Sequence, residues 1–142
     1  MMKQITVEEV ERIAHRLAKE QMGWDEPIPD FGTRYPGKLE SCLATAFQTY
    51  AKKELYPSLI DKASILFYLM IKNHPFLNGN KRIAVTSLLV FLLFNKKWLS
   101  VTNEEIYEMA VDVAKSSPKL KRGIVELIKD FIEKNIKNRS NF

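Results

Sequence analysis

His74-Pro75-Phe76-Leu77-Asn78-Gly79-Asn80-Lys81-Arg82 joins two strongly apolar segments, Ala63–Ile71 and Ile83–Phe94. The first is apolar on nearly all sides of a helix, which places it at the centre of a fold rather than on its surface. Ser58 and Asp61 open that helix, and Pro75 marks its end, because the residue before a proline is disfavoured in the helical region. The second apolar helix starts near Asn80 or Lys81 and runs to about Phe94. Two buried helices joined by a polar, glycine-turned loop predict an all-α fold with a functional loop mounted on a rigid core.

Outward from this spine, periodicity supplies the other elements. Thr6 and Glu9 form a capping-box signature, followed by Val7, Val10, Ile13 and Leu17 on one helical face, with Gly23 as the stop. The segment Gly23–Gly37 holds three of the five glycines and three of the six prolines. It reads as a loop, with at most a small β-hairpin before residue 38. A second helix is expected from Leu39 through Leu43, Ala46, Phe47 and Tyr50. Trp98–Val101 is short and extended. Thr102 and Glu105 cap a helix with Ile106, Met109, Ala110 and Val113 inward. Ser117-Pro118 starts the last helix, with Leu120, Ile124, Leu127, Ile128 and Phe131 as its stripe, and the tail Asn138–Phe142 is expected to fray.

Bulk properties remove several function classes. A chain of 142 residues with 46% apolar and 27% charged content is that of one soluble globular domain spanning residues 1–142. Cys42 is the only cysteine, so no internal disulfide can form. The first residues lack an apolar signal core, and the longest apolar run is too short to span a membrane, so a cytoplasmic protein is expected. The net charge of +5 comes from 22 cations interspersed among 17 acids. The basic C-terminal third, from Lys119 to Arg139, has few aromatics to stack on bases, so the charge is not read as a nucleic-acid surface.

The polar loop itself has the parts of a phosphate site. The first N–H groups of a helix have no internal partners and carry the positive end of its dipole. Gly79 lets a phosphate approach the backbone, and Lys81 and Arg82 add a point charge and a planar fork. His74, with an ordinary pKa of about 6.5, can take a proton from a hydroxyl near neutral pH. Asn78 can offer an amide oxygen to magnesium or cap the following helix. Each piece alone has an ordinary structural explanation: Asn80 is a good helix N-cap, and Phe76 an anchor to the core. Two cations at a helix start, however, oppose the dipole and so favour a bound anion.

The run His74–Arg82 resembles the signature of the Fic/Doc family, His-x-Phe-x-(Asp/Glu)-(Gly/Ala)-Asn-(Gly/Lys)-Arg. The similarity extends from about Leu39 to Ala114. It implies a compact Fic/Doc-type helical bundle, with the signature loop between two central buried helices, that transfers part of a nucleotide to a protein hydroxyl. His74 would be the general base, Asn80 and the adjacent amides the anion hole, and Arg82 the phosphate clamp, with ATP and Mg²⁺ as cofactors. Lys81 stands where the AMP-attaching branch has glycine, and Val85 where that branch has a second arginine. Both resemble the Doc (death-on-curing) branch, toxins that phosphorylate a translation factor such as an elongation factor.

Three functions follow from the resemblance: a Doc-like kinase toxin, an enzyme that transfers AMP or another phosphate-linked group, and a degenerate nucleotide- or partner-binding module. The family's acidic metal residue is replaced by Asn78, which binds a hard cation more weakly. No match to the inhibitory Ser/Thr-x-x-x-Glu-Gly/Asn helix of some Fic proteins is found, which implies a separate antitoxin chain. By analogy the flap Asp30-Phe31-Gly32-Thr33-Arg34-Tyr35 docks the target backbone by strand addition, with Phe31 or Tyr35 covering the reactive site.

Overall fold

A computed structural model describes residues 2–21 and 27–139. The expected helix stop at Gly23, the loop residues Trp24, Asp25 and Glu26, and the tail residues 140–142 lie outside them.

Helix α1 covers residues 7–21. Thr6 caps it, with its hydroxyl accepting from the Glu9 amide and the Glu9 carboxylate accepting from the Thr6 amide. Between Val10 and His15 the helix widens into a π turn. This turn brings two consecutive residues, Ala14 and His15, into the core alongside Val10 and Ala18, while Leu17, expected to face inward, is exposed. A short 3₁₀ turn, Phe31–Thr33, stands where the sequence allowed a hairpin. Helix α2, Lys38–Thr45, is shorter than its apolar pattern implied. Tyr50 belongs instead to a hairpin of β1, Thr49–Tyr50, and β2, Lys53–Glu54, where its ring is exposed.

Helix α3, Leu59–Lys72, and helix α4, Asn80–Phe94, form the expected spine. Every residue from Lys62 to Ile71 is buried. Each fully buried Leu, Ile or Phe contributes about 1.5–3 kcal/mol, so this spine outweighs any surface pairing in the fold. Lys62 is fully buried yet fully partnered: its ammonium donates to Glu54 at 2.9 Å and to the carbonyls of Ala46 and Tyr56, which fastens the hairpin to α3. Strand β3, Lys97–Leu99, is followed by α5, Asn103–Lys115, and α6, Lys121–Asn135.

The tail does not fray at its start. Strand β4, Ile136–Asn138, pairs antiparallel with β3, and Arg139 donates to the Lys96 carbonyl. In the last helix Ile128 and Ile132 are buried, but Leu120 and Leu127, assigned to the stripe by periodicity, are exposed. The result is an all-α bundle with two small two-stranded sheets. Among the described residues no helix is long and apolar enough to cross a membrane.

One ion pair joins α3 to α6. Lys129 meets Asp61 at 2.8 Å, and Asp61 also completes the cap of α3 with Ser58. Burial pushes the Asp61 carboxyl up, but bonds from Lys129 and Ser58 outweigh it and hold it below its ordinary value. A carboxyl lowered on folding stabilises above its unfolded pKa, and that contribution is lost as pH falls through the folded one. An Asp61→Asn variant should therefore be less stable than the parent by about 0.5–1 kcal/mol near pH 7. The gap in melting temperature should close as pH drops below about 4. A gap that persists unchanged in acid would show that the pair contributes packing rather than charge.

Candidate active site

The loop between α3 and α4 is closed by one side chain. Asn80 is the first residue of α4, not its cap, and its amide turns back into the loop. Its Oδ1 accepts from the Phe76 N–H at 2.9 Å and its Nδ2 donates to the Phe76 carbonyl at 3.0 Å. Phe76 is buried, so the loop is fixed at both backbone and side chain. Nδ2 keeps a second N–H, so Asn80, which also lines the cleft beside His74, can offer an anion that donor as well as its position at the helix start.

Gly79 caps α4 in the left-handed conformation, φ 73°. A Cβ added there would lie 2.5 Å from Ile28 Cδ1 and 3.1 Å from the Pro27 carbonyl. The expected close approach at Gly79 is thus made by the chain's own residues 27 and 28. Asn78 Oδ1 accepts from the Gly79 N–H at 2.8 Å, as a turn-forming amide does.

Lys81 and Arg82, consecutive on a helix, point about 100° apart. Lys81 lines a cleft of about 200 Å³ together with His74, Asn78 and Asn80, walled by Ile71 of α3 and Ala114 of α5. Lys72 steadies that wall by donating to the Ser116 carbonyl at 2.6 Å. Arg82 does not line the cleft; it is buried, and its guanidinium donates to the Ala18 carbonyl near the end of α1. A cation at a helix C-terminus is favourable on its own account. The charge argument for an anion therefore rests on Lys81, and Arg82 is placed as a tie between α1 and α4.

His74 stands exposed at the lip of the cleft with φ 47°. A non-glycine residue in this region is strained by roughly 1–3 kcal/mol, and such strain concentrates at functional sites. The flap residues approach from the other direction. The Tyr35 N–H donates to the Pro75 carbonyl at 3.0 Å, directly beside His74, and the Tyr35 ring is exposed. Phe31 does not cover the reactive site: its ring packs on His15 and Phe76 at 5.5 and 5.7 Å. Arg34 lies over Phe31 and pairs with Glu40 at 3.1 Å. Glu40's own backbone N–H, then Arg34, hold its carboxyl below the usual range. Gly32 and Thr33 are exposed, but the 3₁₀ turn at Phe31–Thr33 interrupts the strand edge expected for docking.

A model of the Fic/DOC family matches residues 4–92, more than half of the chain. The chain belongs to the Fic/DOC family. The match reaches back through α1, which the resemblance had left out, and ends within α4, short of the expected limit at Ala114. Fic/DOC proteins are typically transferases that move phosphate-linked groups onto protein hydroxyls. No curated protein and no solved structure matches the chain.

Other candidate chemistry is absent among the described residues. No group of three His, Cys, Asp or Glu side chains could hold a metal ion. Burial drives the Cys42 thiol up to about 11, so it is no thiolate nucleophile at neutral pH. Sequence reasoning missed His15, one of only two histidines, because its inward placement depends on the π turn. It also missed Ile28, whose contact with Gly79 has no signature at all.

The left-handed φ at His74 makes a stability test available. His74→Gly should leave the melting temperature unchanged or raise it, by up to about 1 kcal/mol of stability, since glycine adopts this conformation without a Cβ clash. A clear destabilisation would mean that the imidazole has a structural role.

Proposed function

We propose that this Fic/DOC protein is a Doc-like toxin that phosphorylates a hydroxyl side chain of a target protein with ATP. A cytoplasmic translation factor, such as an elongation factor, is the proposed class of target. The observation that carries this reading is the cleft: exposed His74 at its lip, with Lys81 and the start of α4 in its wall. At about 200 Å³ it is smaller than the ~300–1,000 Å³ of most ligand pockets. It suits the phosphate end of a nucleotide, with the nucleoside outside. Val85, at the position of the AMP branch's second arginine, is fully buried, so nothing there can reach a phosphate.

In this mechanism His74 removes the proton of the target hydroxyl as that oxygen attacks the γ-phosphorus in line. The bond to the bridging oxygen breaks, and ADP leaves with the electron pair. Lys81 and the N-terminus of α4 offset the charge that develops on the phosphoryl oxygens. Among the described residues no carboxylate lines the cleft, and the candidate ligand, the neutral amide of Asn78, already accepts from the Gly79 N–H. Magnesium in this reading is held by the phosphates rather than by the protein. The target backbone lies against the exposed side of the flap at Gly32, Thr33 and Tyr35, and inhibition comes from a separate antitoxin protein.

A second reading, a degenerate module that binds a nucleotide or a partner without chemistry, is favoured by Asn78 in place of an acid. The test separates them. Incubation with cell lysate and ATP, followed by mass spectrometry of modified proteins, should show an added phosphate. Added AMP would assign the chain to the adenylyl-transferring branch, and no addition with any lysate would favour the degenerate module. His74→Ala should lower turnover by roughly 100- to 10,000-fold. Lys81→Gly should slow phosphoryl transfer, because the developing charge loses a partner, and shift the product toward added AMP by letting the nucleotide lie the other way round. An unchanged product would remove Lys81 from that role.

A further inference from the structure

The flap is tied to the rest of the molecule through a histidine that the transfer mechanism does not use. His15 is 6% exposed and ends the π turn of α1. Its Nε2 lies 2.8 Å from the Pro29 carbonyl. A carbonyl only accepts, so this bond assigns the proton to Nε2. The ring meets Phe31 edge-on at 5.5 Å and Phe76 at 6.0 Å, and Phe31 meets Phe76 at 5.7 Å. One imidazole therefore touches the start of the flap, the flap's aromatic residue and the anchor of the signature loop. Its own position is fixed from α4, where Thr86 donates to the Ala14 carbonyl at 2.8 Å, next to His15 in the π turn.

We infer that His15 is a positioning residue that sets where the flap stands relative to His74. This rests on the reading of the exposed side of the flap as the docking surface for the target. Pro29 is followed by the 3₁₀ turn, and the flap ends at Tyr35, whose N–H reaches the Pro75 carbonyl beside His74. The segment is thus pinned at both ends, by His15 at the entry and by the signature loop at the exit. Without the first pin the exposed residues Gly32 and Thr33 lose their fixed distance from the base, and a target backbone placed on them loses its alignment with His74. π turns inserted in α-helices are found at functional sites, and this one has a mechanical reason: it turns His15 inward without displacing Ala14.

The test uses the full chain with His15→Phe, which keeps a ring and loses the donor, and His15→Gln, whose amide can still donate to Pro29. Hydrogen exchange is read at the amides of Thr33, Arg34 and Tyr35 against those of α3. His15→Phe should speed exchange in the flap by roughly tenfold, about the share of one net hydrogen bond, with α3 unchanged and His15→Gln close to the parent. In transfer assays kcat/KM for the protein target should fall by a similar factor while the KM for ATP holds. Unchanged flap exchange in His15→Phe would overturn the inference. So would equal acceleration in α3, which marks a general loss of stability. Should the parent show no transfer with any target, the function proposed above fails, and the exchange pattern still decides whether His15 sets the flap.

Discussion

The loop that presents His74 has to reverse the chain between two buried helices without leaving polar backbone in the core. The amide of Asn80 makes this possible by bonding both the N–H and the carbonyl of Phe76. A buried backbone group without a partner costs about 1–3 kcal/mol, so one side chain here removes two such penalties and lets the Phe76 ring go into the core. With Phe76 inward, His74, Leu77 and Asn78 are left outward. The exposed chemistry of the site is thus a by-product of how its interior is satisfied. Left-handed residues at both ends, His74 and Gly79, complete the reversal.

Two cations adjacent in sequence have unlike surroundings, and the difference connects the site to α1. Arg82 satisfies the Ala18 carbonyl near the end of that helix, and one turn further along α4 Thr86 reaches Ala14. Helix α1 is therefore held to the spine through its own carbonyls as well as its apolar face. That fastening fixes the π turn, and the π turn fixes what His15 can reach. Lys81, facing the cleft, is the residue for which the helix dipole offers no structural justification.

Much of this was readable from the residues. The three capping boxes at Thr6/Glu9, Ser58/Asp61 and Thr102/Glu105 all form, because their signature is local and each satisfies two orphan N–H groups. The spine was legible because ten consecutive buried positions leave no other place for a helix. The hairpin was misplaced for an equally physical reason. Its turn is made by Ala51 and Lys52 at φ 50° and 66°, residues that rarely adopt this conformation, so the glycine or asparagine that announces such a turn is missing. The Gly- and Pro-rich segment before residue 38 carried the usual turn residues and formed a 3₁₀ turn instead. The β3–β4 pairing joins residues some forty positions apart in sequence, and a short strand at that distance has no local signal.

The replacement at Asn78 can be judged by what it keeps. An aspartate there would accept from the Gly79 N–H as the asparagine does, since the turn bond uses one oxygen and either side chain supplies it. The two differ in charge and in the second atom, a donor in asparagine and an acceptor in aspartate. A carboxylate at that point would attract a divalent cation and, being next to the start of α4, would also compete with any anion for the positive end of the dipole. The neutral amide weakens any hold on a cation and removes the competitor, while Lys81 adds positive charge to the same cleft. The turn is preserved and the balance of the site moves toward holding phosphate. An asparagine at this position is therefore compatible with an anion site and makes a weaker ligand for a metal than an aspartate would.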